Sequence, residues 1–159
     1  MGYYVRAFCT TGEPPAIRPI LDFAKERGSV VEGVSNATGL DDPTWEDAAV
    51  LYKTGKNPIL LEINRDQAGE AGSMFREEIE EFLEFLEDAP NDSKRKRVEQ
   101  HLRKTTFTVA AQLATSDIDD DGYNALGYML RYFVEHNGGM TQADGEGFYD
   151  GDEVIVALE

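Results

Sequence analysis

The chain has 159 residues, 41% of them hydrophobic, and a formal net charge of −16 from 31 acidic and 15 basic residues. Its single cysteine, Cys9, excludes an intramolecular disulfide, and no segment approaches the ~20 apolar residues of a membrane span or the apolar core of a signal peptide. These features predict a globular protein of the cytoplasm, and the acidic surface disfavours nucleic-acid and membrane partners because it repels phosphate groups.

The first 66 residues predict a strand, a helix, a second strand and a hairpin. Alternation with a period of two indicates the strands, and apolar residues at i, i+3, i+4 and i+7 indicate the helix, which Gly28 ends. The hairpin turns at Lys53-Thr54-Gly55-Lys56. The predicted elements are strands at 4–9 and 29–32, a helix from 17, a loop at 33–46 and a hairpin over 48–63.

Residues 73–104 predict an amphipathic helical connector. Over 74–87, apolar residues form one stripe and glutamates fill the remaining faces. A short basic helix begins near Ser93, with Val98 and Leu102 facing inward. This basic patch favours either self-association by charge or an intramolecular match to the glutamate-rich helix. The patch comprises Lys94, Arg95, Lys96, Arg97, Arg103 and Lys104.

The last third, 105–159, repeats the order of the first. A strand is followed by a helix over 122–137, a strand from Met140 and a hairpin that turns at Asp150-Gly151. The sequence therefore predicts one compact α+β domain of two similar strand-helix-strand-hairpin halves joined by the connector, with the helices on one side of an antiparallel or mixed sheet. The alternative is a chance recurrence of element order, since the halves share negligible identity.

The helix over 122–137 is apolar on most of its sides. Leu126, Leu130 and Phe133 are predicted core residues, while Tyr128 and Tyr132 occupy other faces. Such a helix needs cover on several sides. We expect it to pack on the sheet and under the glutamate-rich helix, or at a subunit interface, so a homodimer is a further expectation.

Residues 117–122 have the spacing that opens an EF-hand calcium loop. Asp117, Asp119 and Asp121 stand at the first, third and fifth ligand positions, and Gly122 allows the sharp turn. Tyr128 stands where the closing glutamate is expected, so calcium binding would be weak. The alternative is that these carboxylates cap the following helix and complement its dipole.

Residues 144–153 combine acidic, aromatic and glycine residues. Carboxylates bind cations or transfer protons, aromatic rings offer stacking surface, and glycines allow close backbone approach. The alternative is an ordinary hairpin strand and its turn. The candidate binding residues are Asp144, Glu146, Phe148, Tyr149 and Asp150.

The sequence shows no nucleophile–base pair, zinc-type cluster, Walker loop or dinucleotide fingerprint, so catalysis is disfavoured and no cofactor other than calcium is expected. The charge favours a non-catalytic interaction module that presents acidic surface to a basic protein, as inhibitor and immunity proteins do. Two alternatives stay open. One is a carboxylate-based small-ligand binder or enzyme that uses 144–153, and the other is a weak calcium-binding module.

Overall fold

The structure, a computed structural model, describes residues 3–35 and 39–158. Part of the predicted loop at 33–46 therefore lies outside the described residues. Within them, eight strands form a single sheet in which all neighbours are antiparallel, in the order β2-β3-β4-β5-β1-β6-β7-β8. The strands are β1 (Tyr3–Cys9), β2 (Glu32–Ser35), β3 (Asp47–Leu51), β4 (Ile59–Arg65), β5 (Phe107–Leu113), β6 (Met140–Ala143), β7 (Gly147–Asp150) and β8 (Glu153–Ala157).

Four α-helices pack on this sheet in the described chain, which confirms the α+β class. They are α1 (Ile17–Glu26), α2 (Ser73–Leu86), α3 (Ser93–Lys104) and α4 (Asp120–His136), and a short 3-10 turn (Glu70–Gly72) precedes α2. The sequence placed the first hairpin and the second correctly. The second strand begins three residues later than the expected 29–32, and Val31 is a buried residue before it.

The helices lie on both faces of the sheet, so the expectation of helices on one side was wrong. Alternation along β1 separates the two faces: Ala7 and Cys9 join the core under α1 and α4, whereas Phe8 joins the core under α2 and α3. The connector helices need sheet surface of their own because each carries an apolar stripe. Phe82 and Leu102 are representative of these stripes and are buried against the second face.

Helix α4 packs on α1, β1 and β6, and not under α2 as expected, because α2 lies across the sheet. Leu126, Leu130 and Phe133 are buried, which confirms the predicted core residues. Tyr128 and Tyr132 are partly buried at the border of the same core. The described helices include none that is long and apolar enough to cross a membrane.

The two halves share an element order but not a position in the sheet. The hairpin of the first half meets the central strands through its last strand, β4, which pairs with β5. The second half meets them through β6, which precedes its hairpin and pairs with β1. Equivalent strands of the two halves thus have different pairing partners in the sheet, and the duplication stays a prediction.

Replacement of Phe133 by Ala should lower the free energy of unfolding by about 3–5 kcal/mol, since the ring is fully buried and its removal leaves a cavity. Chemical denaturation measures this change. Tyr123→Ala is the matched control in the same helix: Tyr123 is 47% exposed, and we expect a change within about 0.5 kcal/mol. Equal losses in the two variants would contradict the assigned orientation of α4.

Candidate functional site

A groove of about 940 Å³ lies between α4 and the β6–β7 segment and is called the α4 groove below. Its volume is at the upper end of the range for ligand sites, roughly 300–1,000 Å³. The space exists because small residues face it: Gly127 on α4, and Thr141 and Ala143 on β6. A Cβ added at Gly127 would meet no atom within 4 Å. Apolar lining comes from Val5, Leu126, Leu130, Val134 and Ala143.

Glu146 is an anion held at one wall of the α4 groove. The hydroxyls of Tyr149 and Tyr3 each donate a hydrogen bond to one oxygen of its carboxylate. Tyr3 lies on β1 and Tyr149 on β7, the two strands that flank β6, so the sheet register brings both rings to the same turn. Glu146 itself is exposed. The two tyrosine hydroxyls therefore fix the direction of the Glu146 carboxylate and leave it accessible to solvent.

The Tyr149 and Tyr3 hydrogen bonds lower the pKa of Glu146 below its usual range. Burial and the bond to Glu146 raise the pKa of Tyr3, and the bond to Glu146 with partial burial raises the pKa of Tyr149. Glu146 is thus ionised and both tyrosines are protonated at neutral pH. A carboxylate that serves as a general acid needs the opposite shift.

The charge along the α4 groove is predominantly negative. Four carboxylates line it, and its two arginines are already paired: Arg97 Nη1 lies 2.9 Å from Asp150 Oδ2, and Arg131 Nε lies 2.9 Å from Glu135 Oε2. Within the described part of the chain, the remaining acids, Glu146 and Asp152, have no ion pair with a basic side chain. The arrangement can attract and hold a cationic group.

The structure brings some of the predicted binding residues together and separates others. Glu146 and Tyr149 face the α4 groove, and Asp150 lies at its rim in the ion pair with Arg97. Asp144 points to the opposite face of the sheet, where Arg6 Nη1 donates to its Oδ1 at 2.7 Å. The prediction that Phe148 belongs to this surface needs correction. Its side chain is fully buried.

Phe148 is buried because neighbouring residues of a strand point to opposite faces. Its ring packs with Phe8 and Phe82 in the core beneath α2 and α3, at centroid distances of 5.7 Å in both cases. Sequence reasoning treated the two adjacent aromatics as one surface. The backbone itself requires glycine at position 147, since Gly147 has φ +132° and an added Cβ would lie 2.1 Å from the Val156 carbonyl oxygen.

Tyr3 is the site residue that sequence reasoning missed. It is 143 positions from Glu146, and only the pairing of β1 with β6 brings the two together. No local spacing signals such a contact. A partial signal was present in the alternation of β1, which puts Tyr3 and Val5 on one face of the strand.

The predicted calcium loop is not assembled. Lys53 Nζ lies 2.6 Å from Asp119 Oδ2 and 2.7 Å from Asp121 Oδ2, so a lysine of the β3–β4 turn lies where the carboxylates converge. Asp117 accepts from the Asn57 amide at 2.6 Å, and its carbonyl accepts from Lys56. Nowhere in residues 3–35 and 39–158 do three or more His, Cys, Asp or Glu side chains form a group able to hold a metal ion.

These aspartates act on local structure. Asp119 Oδ1 accepts from the Gly122 amide at 3.1 Å and caps α4, as the alternative interpretation expected. The hydrogen bond from Lys53 lowers the pKa of Asp119. Together the lysines fasten the β3–β4 turn to the entry of α4.

The cysteine and the two histidines, which are residue types that often act as nucleophiles or transfer protons, are either buried or hydrogen-bonded to the backbone. Burial raises the pKa of the Cys9 thiol, which lies inside the first core and is neutral. His101 Nε2 donates to the Phe8 carbonyl at 2.7 Å, and burial lowers the pKa of its imidazole. His136 Nδ1 lies 3.0 Å from the Tyr132 carbonyl, at the end of α4.

No protein-family model, curated protein or solved structure matches this chain.

The double variant Tyr3→Phe/Tyr149→Phe should raise the pKa of Glu146 toward the ordinary value of about 4.3, because both donors to its carboxylate are removed. In the wild type, the hydrogen bonds stabilise the folded state above the ordinary pKa, and this contribution is lost as the pH falls through the lowered value. Carbon-detected NMR titration of the Glu146 carboxyl measures the shift. Tyr123 also lines the α4 groove, so Tyr123→Phe is the control and should leave the pKa of Glu146 unchanged.

Proposed function

We propose that this protein is a non-catalytic binding module whose α4 groove receives a basic segment of a protein partner, with Glu146 as the anionic anchor. The observation that carries the proposal is the Glu146 carboxylate, fixed by two tyrosine hydroxyls and exposed at the wall of a groove with apolar lining. A cationic side chain would bind the carboxylate, while neighbouring apolar groups would contact Leu126, Leu130 and Val134.

The whole-chain charge supports a cationic partner. A net charge of −16 attracts basic proteins at long range, and the unpaired acids of the α4 groove direct that attraction to one place. Arg97 and Arg131 do not oppose it, because Asp150 and Glu135 already neutralise them. Specificity would come from the fixed direction of the Glu146 carboxylate, since charge-assisted hydrogen bonds depend on geometry.

The state of the titratable groups supports binding over catalysis. Proton transfer near neutral pH needs a group whose pKa lies near the working pH. Glu146 has a lowered pKa, and the Cys9 thiol is buried and neutral. We extend the proposal to a cytoplasmic location, for which the reduced, buried Cys9 is suited.

A small cationic ligand is the second candidate. The volume of about 940 Å³ lies within the range of known small-molecule sites, so the groove can hold a compact molecule instead of a peptide segment. The Tyr3 and Tyr149 rings beside Glu146 would then provide aromatic surface to an ammonium group. The experiment below separates the two candidates by the size of the ligand that binds.

Calorimetry with a synthetic amphipathic peptide of lysine and leucine, and separately with an alkylammonium ion, tests the proposal. The peptide should bind the wild type roughly tenfold or more tightly than the alkylammonium ion does. Glu146→Lys and Gly127→Trp should each weaken peptide binding roughly tenfold or more, the first by charge repulsion and the second by filling the α4 groove.

Gly127→Ala and Glu26→Lys are the matched controls. Alanine at 127 keeps most of the space and suits a helix better than glycine does. Glu26 is an exposed acid on α1, away from the α4 groove. Wild-type affinity is expected for both. Peptide binding unaffected by Gly127→Trp would place the basic segment elsewhere, and preferred binding of the alkylammonium ion would favour the small-ligand function.

A further inference from the structure

The outer surface of the α2–α3 layer has an acidic half and a basic half. Six acidic residues on or just after α2 are exposed and are called the acidic set, and five exposed basic residues of α3 are called the basic set. The acidic set is Glu77, Glu80, Glu81, Glu84, Glu87 and Asp88. The basic set is Lys94, Lys96, Arg97, Arg103 and Lys104.

The two halves do not neutralise each other within the chain. Across the described residues, no carboxylate of the acidic set forms an ion pair with a basic side chain of α3, although Arg95 Nη1 donates to the backbone carbonyl of Glu87 at 3.5 Å. Arg97 pairs instead with Asp150, and Arg103 pairs with Glu99 at 4.0 Å on its own helix. Lys96 and Lys104 form no ion pair with any residue of the described part of the chain. Of the two sequence alternatives for the basic patch, the intramolecular match to the glutamate-rich helix is therefore limited to the contact of Arg95 with the Glu87 carbonyl.

Apolar side chains stand exposed on the acidic helix. Met74 is 62% exposed and Phe85 is 46% exposed, although the opposite stripe of α2 is buried in the core. Phe85 keeps one edge-to-face contact, with Phe82 at 5.8 Å between centroids. Large apolar groups surrounded by charge are typical of an interface whose centre excludes water.

We propose that the α2–α3 layer is a homodimer interface in which α2 of each protomer packs against α3 of its partner. A twofold axis that runs in the plane of the interface, between the two helices, superposes the acidic half of one copy on the basic half of the other. The contact forms twice, because an isologous interface repeats every pair. A second copy is the partner that matches this surface, since each half is complementary to the other half of the same surface.

The net charge of the chain restricts where two copies can associate. Two chains of −16 repel each other over most of their surfaces, so a stable contact requires a place where opposite charges meet. The basic set holds 5 of the 15 basic residues of the chain. The interface lies across the sheet from α1 and α4, and of the basic set only Arg97 also lines the α4 groove, where it pairs with Asp150. The charge-reversed residues of the experiment below do not line the groove, so the test is independent of the proposed function.

A charge-exchange experiment in sedimentation equilibrium tests the pairing. One variant carries Glu80→Lys/Glu84→Lys and the other carries Lys96→Glu/Lys104→Glu. Each alone places like charges face to face, so each should dissociate with a constant roughly tenfold or more above that of the wild type. An equimolar mixture should recover a heterodimer, because reversed α2 then meets reversed α3 in one contact and the two unchanged helices meet in the other.

The matched control is Asp22→Lys/Glu26→Lys on α1, which changes the net charge as much as the α2 variant does and should leave the dimer unchanged. Circular dichroism confirms that each variant is folded, as expected for exposed substitutions. A wild type that stays monomeric up to ~1 mM overturns the proposal. So does failure of the mixture to recover the dimer, and so does equal dissociation of the α1 control.

Discussion

The burial of β1 on both faces is the constraint on which the other features depend. Antiparallel pairing with β5 and β6 places β1 at the centre of the sheet, and its last residues are fully buried. Alternation then assigns Ala7 and Cys9 to one core and Phe8 to the other. Small residues on one face let α4 approach the sheet closely, whereas a large ring on the other face meets Phe82 and Phe148. The chain therefore needs two helical layers.

The same constraint creates the candidate site. Helix α4 must cover β1 and β6, and its buried residues hold it there with the Asp119 cap and the Lys53 ion pairs at its start. The side of α4 that faces β7 is left with Gly127 opposite the small side chains of β6. A groove follows from the packing of the core, and its wall carries Glu146 because the β6–β7 turn ends there. Replacements that shift α4 should therefore alter both stability and binding.

Sequence reasoning succeeded where one element contains the signal. The helical period identified Leu126, Leu130 and Phe133 as core, and the turn chemistry located both hairpins, because these patterns depend on neighbours a few residues away. It failed where the deciding partner is distant in the chain. Lys53 is 66 positions from Asp119, so the spacing of the aspartates suggested a metal where a lysine lies. The face assignment of Phe148 depended on the register with β6, which the sequence does not display.

The distribution of cations explains where excess negative charge remains. Several basic residues pair with carboxylates of the same chain: Arg6 binds Asp144 and Glu78, Lys53 binds Asp119 and Asp121, and Arg97 binds Asp150. Burial raises the pKa of Glu78 despite its pairing with Arg6, because two further glutamates lie nearby and water is partly excluded. A chain with 31 acids and 15 basic residues cannot match every carboxylate in this way. The acids left over include Glu146 and Asp152 at the α4 groove and the acidic set along α2. The position of the lysines on α3 does not change the net charge of the chain, so it adds nothing to solubility. It does create a basic surface on an acidic protein, and such a surface attracts acidic surface of the kind that α2 carries.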